Sequence, residues 1–179
     1  GEGAKLRTAD GREFIDGLSC LWNVNVGHGR KELAQVAARQ MEQLAFASGY
    51  VGNTNIPAVQ LADRLSALCY PSINHFFFAS GGGEANDSAI KTARFFWNSQ
   101  GRPEKMKIIS REHGYHGVTM GAMSATGIPS YWPMFGGRLP GFIQGDAKLI
   151  HGLRPQFAVL ESLQEGFEVR DGFLRFFRL

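Results

Sequence analysis

The chain has 179 residues, 44% hydrophobic and 20% charged, with a formal net charge of +3. That length supports one ordinary domain with a real core, and the composition excludes a disordered or fibrous protein. The basic residues are scattered and no apolar run reaches membrane-spanning length, so neither nucleic acid nor a membrane is an expected partner. Cys20 and Cys69 form no CxxC spacing, which points to a reducing compartment and to no metal site. The chain begins with Gly1 rather than Met. A processed or truncated start is expected, with a cytoplasmic location.

In chain order, residues 6–15 read as a hairpin, because Asp10-Gly11 between apolar positions is a strong turn signal. Trp22 follows, with a core position favoured over a pocket wall. His28 stands between Gly27 and Gly29, and a structural histidine bonded to backbone is favoured over a ligand-binding one. Leu33, Val36, Ala37, Met41 and Leu44 share one face of a helix. Residues 53–57 carry capping residues and a Pro suited to a first helical turn, and Pro71 should stop the helix lined by Ala58, Leu61, Ala62, Leu65 and Leu68.

The stretch from Phe76 to Asp87 organises what comes after. Phe76-Phe77-Phe78 reads as a short buried strand, Gly81-Gly82-Gly83 as a turn, and Ala85, Ala89, Ile90, Ala93 and Trp97 as one face of a helix. Such a turn aims free N–H groups and the positive end of a helix dipole at one spot, which suits a phosphate. An ordinary strand-to-helix turn is the open alternative. Residues 106–110 read as a second strand, making a βαβ unit with its strands parallel and adjacent. Ligands of such sheets collect at strand C-terminal ends, where the glycine turn and residues 111–117 both fall.

Residues 119–126 suit a tightly packed helix, and 127–140 a long functional or partner-facing loop. Residues 157–160 fit a strand or a helix start, and 167–174 a second hairpin. The chain ends on the apolar run Phe176-Phe177-Arg178-Leu179.

Four separated motifs stand in order: Gly27-His28-Gly29-Arg30, residues 80–87, Lys107-Ile108-Ile109-Ser110-Arg111, and Tyr115-His116-Gly117-Val118-Thr119. Together, between about Gly11 and Gln144, they resemble the class III aminotransferases, the pyridoxal-phosphate enzymes that include the ω-amino acid:pyruvate transaminases. The resemblance covers the N-terminal part of such an enzyme. It implies an incomplete portion of the large domain of a fold-type I, three-layer α/β protein, with a mostly parallel sheet and helices on both faces. On that basis residues 1–45 form a hairpin and helix segment, 46–144 part of the cofactor domain, and 145–179 a divergent tail. The family works as a homodimer on small amines and keto acids. Carried over, Gly82 and Gly83 match the loop that holds the cofactor phosphate. Tyr115 matches the aromatic residue stacked on the pyridine ring, with His116 beside it, and Trp22 matches a substrate-pocket aromatic. A doubly charged phosphate wants backbone N–H groups at a helix start, and a flat ring wants a facing aromatic.

Two departures matter. The family usually has Ser or Thr where this chain has Gly83, so a hydroxyl to the phosphate is lost. The family's Schiff-base lysine, and the acid that pairs with the pyridinium nitrogen, follow well downstream of the Tyr-His-Gly motif, and no such context occurs here. Lys148 is the substitute considered, with a surface lysine the favoured reading. Three functions stay open. The first is a class III transaminase polypeptide moving an amino group from an amine or ω-amino acid to a keto acid such as pyruvate. The second is a non-catalytic remnant or interaction module keeping part of the fold. A nucleotide-binding βαβ domain comes third, since the glycine run lacks the usual phosphate-loop spacings.

Overall fold

The computed structural model describes residues 1–50 and 52–146 and the backbone of 158–160. The chain divides into two compact units, Gly1–Val59 and Gln60–Leu179.

The first unit opens with the expected hairpin. Strands β1 (Lys5–Arg7) and β2 (Glu13–Ile15) run antiparallel, with Leu6 opposite Phe14. Their loop is closed by the Gly11 N–H donating to the Thr8 carbonyl at 3.0 Å and the Arg12 N–H donating to Thr8 Oγ1 at 3.0 Å. A second tie joins Gly3 and His28, whose N–H groups each donate to the other's carbonyl at 3.0 and 2.8 Å. Between them lies the single turn α1 (Ser19–Trp22), which is left-handed. Helix α2 (Lys31–Leu44) forms where the apolar periodicity places it, but Leu33, Val36, Met41 and Leu44 are exposed. Periodicity sets which residues share a face. It does not supply the layer that would cover them.

Helix α3 (Ile56–Leu68) begins as expected: Asn55 Oδ1 accepts the Ala58 N–H at 2.9 Å, and Pro57 sits in the first turn, where its missing donor is harmless.

The second unit is built on a three-stranded parallel sheet in the order β4-β3-β5. Its strands are β3 (Ile108–Arg111), β4 (Phe142–Gly145) and β5 (Ala158–Leu160), with Ile108 level with Phe142 on one side and Ala158 on the other. Ile108, Ile109 and Ser110 are all buried, the mark of a central strand covered on both faces. Helix α4 (Gly82–Ser99) packs Ile90 against Ile108 and Ala125, with Ala89 and Phe142 alongside. Helix α5 (Met120–Ala125) carries small residues and buries Ala122, Ser124 and Ala125. After it, a 3₁₀ turn (Pro129–Tyr131) and a short helix α6 (Trp132–Phe135) occupy the expected long loop.

Two expectations fail. Residues 76–78 belong to no strand, and Phe77 and Phe78 are exposed. The neighbours of β3 are instead β4 and β5, so its parallel crossover to β4 runs through α5 and not through α4. Three aromatics fit a strand only where a ladder partner exists, and both edges of β3 are already taken. Residues 157–160 resolve in favour of a strand, since Ala158–Leu160 pairs with β3. The hairpin expected at 167–174, the apolar C-terminal run and Lys148 lie outside the described residues.

Gly127 fixes the return of the chain after α5. Its N–H donates to the Gly114 carbonyl at 2.8 Å and its carbonyl accepts the His113 N–H at 2.9 Å. A Cβ there would collide with the Arg111 carbonyl and lie 2.9 Å from Glu112 Cα. Backbone cannot swing aside, so Gly127→Ala should destabilise by about 1–3 kcal/mol. Gly137→Ala, with open space around it, should stay within about 0.5 kcal/mol. Urea midpoints at constant m-value measure both, and equal midpoints would refute the packing described.

Candidate functional site

The site begins at the start of α4. Gly81 is extended backbone, and Gly82 and Gly83 are the first helical residues. The first intrahelical bond runs from the Ala85 N–H to the Gly81 carbonyl at 3.0 Å, so the N–H groups of Gly82, Gly83 and Glu84 precede the ladder. The Glu84 carboxylate does not close over them. It reaches back to accept the Ser80 hydroxyl and, at 2.9 Å, the Ser80 N–H. Those two bonds, the hydroxyl first, hold its pKa below the ordinary glutamate value.

Against this helix start lies the segment carrying Tyr115, His116 and Gly117. A Cβ on Gly117 would fall 2.6 Å from Gly83 Cα and 3.0 Å from Ala122 Cβ, and Gly117 has φ +132°. Glycine is required there twice over, for space and for conformation. Thr119 Oγ1 donates to the Gly83 carbonyl at 3.2 Å, and Asn86 Nδ2 to the His116 carbonyl at 2.6 Å. Thr126 Oγ1 accepts the His116 N–H at 3.0 Å. The His116 side chain is buried, its Nε2 has no hydrogen-bond partner among the described residues, and burial lowers its pKa. The imidazole is therefore neutral near pH 7 and adds no charge to the site. Tyr115 is 53% exposed, with its ring edge-on to Tyr131 at 6.4 Å between centroids.

The structure thus brings Gly82, Gly83, His116 and, through the chain, Tyr115 into one neighbourhood. Donors at a helix start can take an anion, and an exposed flat ring beside them can take an aromatic face. The residues that sequence reasoning passed over are the ones that lock this arrangement: Asn86, Gly117, Thr119 and Thr126. Gly117 and Thr119 stood inside a quoted motif, but a contact with Gly83 across 34 or 36 positions leaves no trace in local pattern.

Trp22 belongs to the first unit. It is 62% exposed, so the core position favoured from pattern is not observed. It ends the left-handed turn α1, where Ser19, Cys20, Leu21 and Trp22 have φ of 50°, 45°, 62° and 64°. Such backbone costs non-glycine residues about 1–2 kcal/mol each. The turn is held by hydrogen bonds: Trp22 N–H to the Leu18 carbonyl and Asn23 N–H to the Ser19 carbonyl, both at 2.9 Å. Asn23 Nδ2 adds bonds to the Cys20 and Leu21 carbonyls at 3.1 and 2.9 Å. Asp16 anchors the turn, its Oδ1 accepting the Cys20 N–H at 3.0 Å and its Oδ2 lying 2.8 Å from His28 Nε2. The His28 backbone is tied to Gly3, while its ring meets a carboxylate rather than the backbone partner expected.

With this geometry in place, the comparisons with known proteins identify the class. The fold is that of the type I pyridoxal-phosphate transaminases. An (S)-enantioselective omega-transaminase from Thermomicrobium roseum superposes with a TM-score of 0.79 at 50% identity, covering 82% of this chain and 33% of that one. The chain belongs to the class-III aminotransferases, whose family profile matches residues 1–164 and so extends the resemblance at both ends. Among relatives, the beta-alanine–pyruvate aminotransferase of Pseudomonas aeruginosa is 34% identical across 99% of this chain and 39% of its own length. The diaminobutyrate–2-oxoglutarate transaminase of Halomonas elongata is 37% identical across 75% of this chain and 29% of its own. The chain spans about a third of the length of these proteins.

The anchor of α1 sets a pH dependence. The Cys20 N–H first, and His28 second, bring the Asp16 pKa down from 3.8 to about 2. A depressed carboxylate stabilises the fold above its ordinary pKa, and the contribution disappears as pH falls through the folded value. Asp16→Asn should therefore lower the urea midpoint clearly at about pH 6 and much less at about pH 2.5. A gap of the same size at both pH values would contradict the role given to Asp16.

Proposed function

We propose that this chain forms the part of a class III aminotransferase that receives pyridoxal 5′-phosphate. The whole enzyme would move an amino group from an amine or ω-amino acid to a keto acid such as pyruvate. The observation that carries this reading is the contact of Gly117 with Gly83, which seats the Tyr-His-Gly segment against the helix start. In this reading the Gly82 and Gly83 N–H groups hold the cofactor phosphate, Tyr115 covers the ring and His116 lies beside it in the cofactor site. When bound, the cofactor supplies an electron sink at the carbon bearing the amine. Trp22 borders the substrate. The enzyme would act as a homodimer in the cytoplasm, with residues 1–45, 46–144 and 145–179 as an N-terminal segment, cofactor-domain portion and tail. Among the described residues no helix is long and apolar enough to cross a membrane.

The fit of the phosphate cradle can be tested on Gly83 itself. A Cβ there would meet the Thr119 side chain at 3.5 Å and the Val118 nitrogen at 3.6 Å, ordinary contacts. A hydroxyl therefore has room. Gly83→Ser should tighten pyridoxal-phosphate binding, by at most about 1.5–3 kcal/mol for one bond to a charged group. Tyr115→Ala should weaken it by about 0.5–1.5 kcal/mol. Titration followed by absorbance and tryptophan fluorescence reads both. Binding that neither substitution alters would place the cofactor elsewhere. Borohydride reduction with peptide mapping separates the two functional readings. A trapped lysine, Lys148 being the first to check, supports catalysis by this chain, and saturable binding without one supports a binding module.

A further inference from the structure

The first unit brings three metal-ligating side chains together that sequence spacing keeps apart. Asp16 Oδ, Cys20 Sγ and His28 Nε2 all lie within 4.8 Å of one another. We propose that Asp16, Cys20 and His28 form a binding site for a borderline-soft divalent metal such as Zn²⁺.

The placement of the donors argues for a shared metal rather than a catalytic triad. In a thiol–imidazole–carboxylate relay the acid and the thiol address different ring nitrogens. Here the same nitrogen, Nε2, faces both, with Asp16 Oδ2 at 2.8 Å and Cys20 Sγ at 3.8 Å. Three donors of mixed type converging on one point suit Zn²⁺, with bonds of about 2.0–2.3 Å. Tetrahedral angles at those lengths put donor atoms about 3.4–3.6 Å apart. The sulfur–nitrogen distance is close to this, and the oxygen–nitrogen distance would open slightly as the metal replaces the shared proton. On binding, Nε2 gives up its proton in favour of Nδ1 and the thiol loses its own to solvent. The Asp16 and His28 side chains are 8% and 16% exposed, which fixes their orientation, whereas Cys20 is exposed and leaves an entry path. An open cleft of about 300 Å³, lined by Asp16, Ser19 and His28 among others, leaves room for water as a fourth ligand.

The left-handed turn is what makes the site. Cys20 sits within it at φ 45°, its N–H bonded to Asp16 Oδ1 at 3.0 Å. That is why a D-x3-C-x7-H spacing carries no metal signature in the sequence.

The test is a Co²⁺ titration of the reduced 179-residue chain, read by absorption and back-titrated with Zn²⁺. The expected result is one Co²⁺ per chain, a thiolate-to-cobalt charge-transfer band, and displacement by Zn²⁺. Cys20→Ala should abolish the band and weaken binding by about 10–100-fold, at least the loss seen for outer-shell changes. Because Cys20 is exposed, its circular dichroism should match the wild type. Cys69→Ser should leave the band intact. Absence of the band, its survival in Cys20→Ala or its loss in Cys69→Ser would each overturn the site.

Discussion

The approach of Gly117 to Gly83 is the constraint on which the second unit's chemistry depends. A helix start offers donors to any anion, but it selects nothing by itself. What sets it apart is a second segment pressed against it so closely that Gly117 leaves no space for a Cβ, which would fall 2.6 Å from Gly83 Cα. The hydrogen bonds from Thr119 to Gly83 and from Asn86 to His116 fix the register of that contact. Thr126, buried and bonded to the His116 N–H, ties the same segment to α5. Each bond contributes about 1 kcal/mol net, yet a buried group left unpaired would cost more, so the network specifies one arrangement.

The first unit solves a different problem. Its strained turn stores several kcal/mol of unfavourable backbone, held by short-range hydrogen bonds and by one depressed carboxylate. Outliers of this kind persist only where surrounding interactions over-determine them. Asp16 does so by bonding forward to Cys20 and across to His28. Trp22 gains its exposed position from that turn, so the substrate-side role proposed for it rests on Asp16 as much as on the indole.

Local chemistry was legible wherever it was decided locally. Asp10-Gly11 specified a hairpin, Asn55-Ile56-Pro57 a helix start, and Gly81-Gly82-Gly83 the entry to α4. The motifs carried the family as well, because their order and separations agree across more than a hundred residues. Long-range decisions were not legible. Phe76-Phe77-Phe78 has strand composition, but ladder partners belong to other segments, and β3 found its own in β4 and β5. The left-handed turn carries no glycine to announce it, so Trp22 read as core. The apolar face of α2 was legible as a face, but its exposure was not, because what covers a face is decided elsewhere in the chain.

The central claim is that the glycine helix start and the Tyr-His-Gly segment form one binding surface. Amide chemical shifts of the isotopically labelled chain, titrated with pyridoxal phosphate, test it most directly. The account predicts that the Gly82 and Gly83 amides move together with those of His116, Gly117 and Thr119, along a single saturation curve. Shifts confined to one of the two segments, or saturating at separate concentrations, would contradict it.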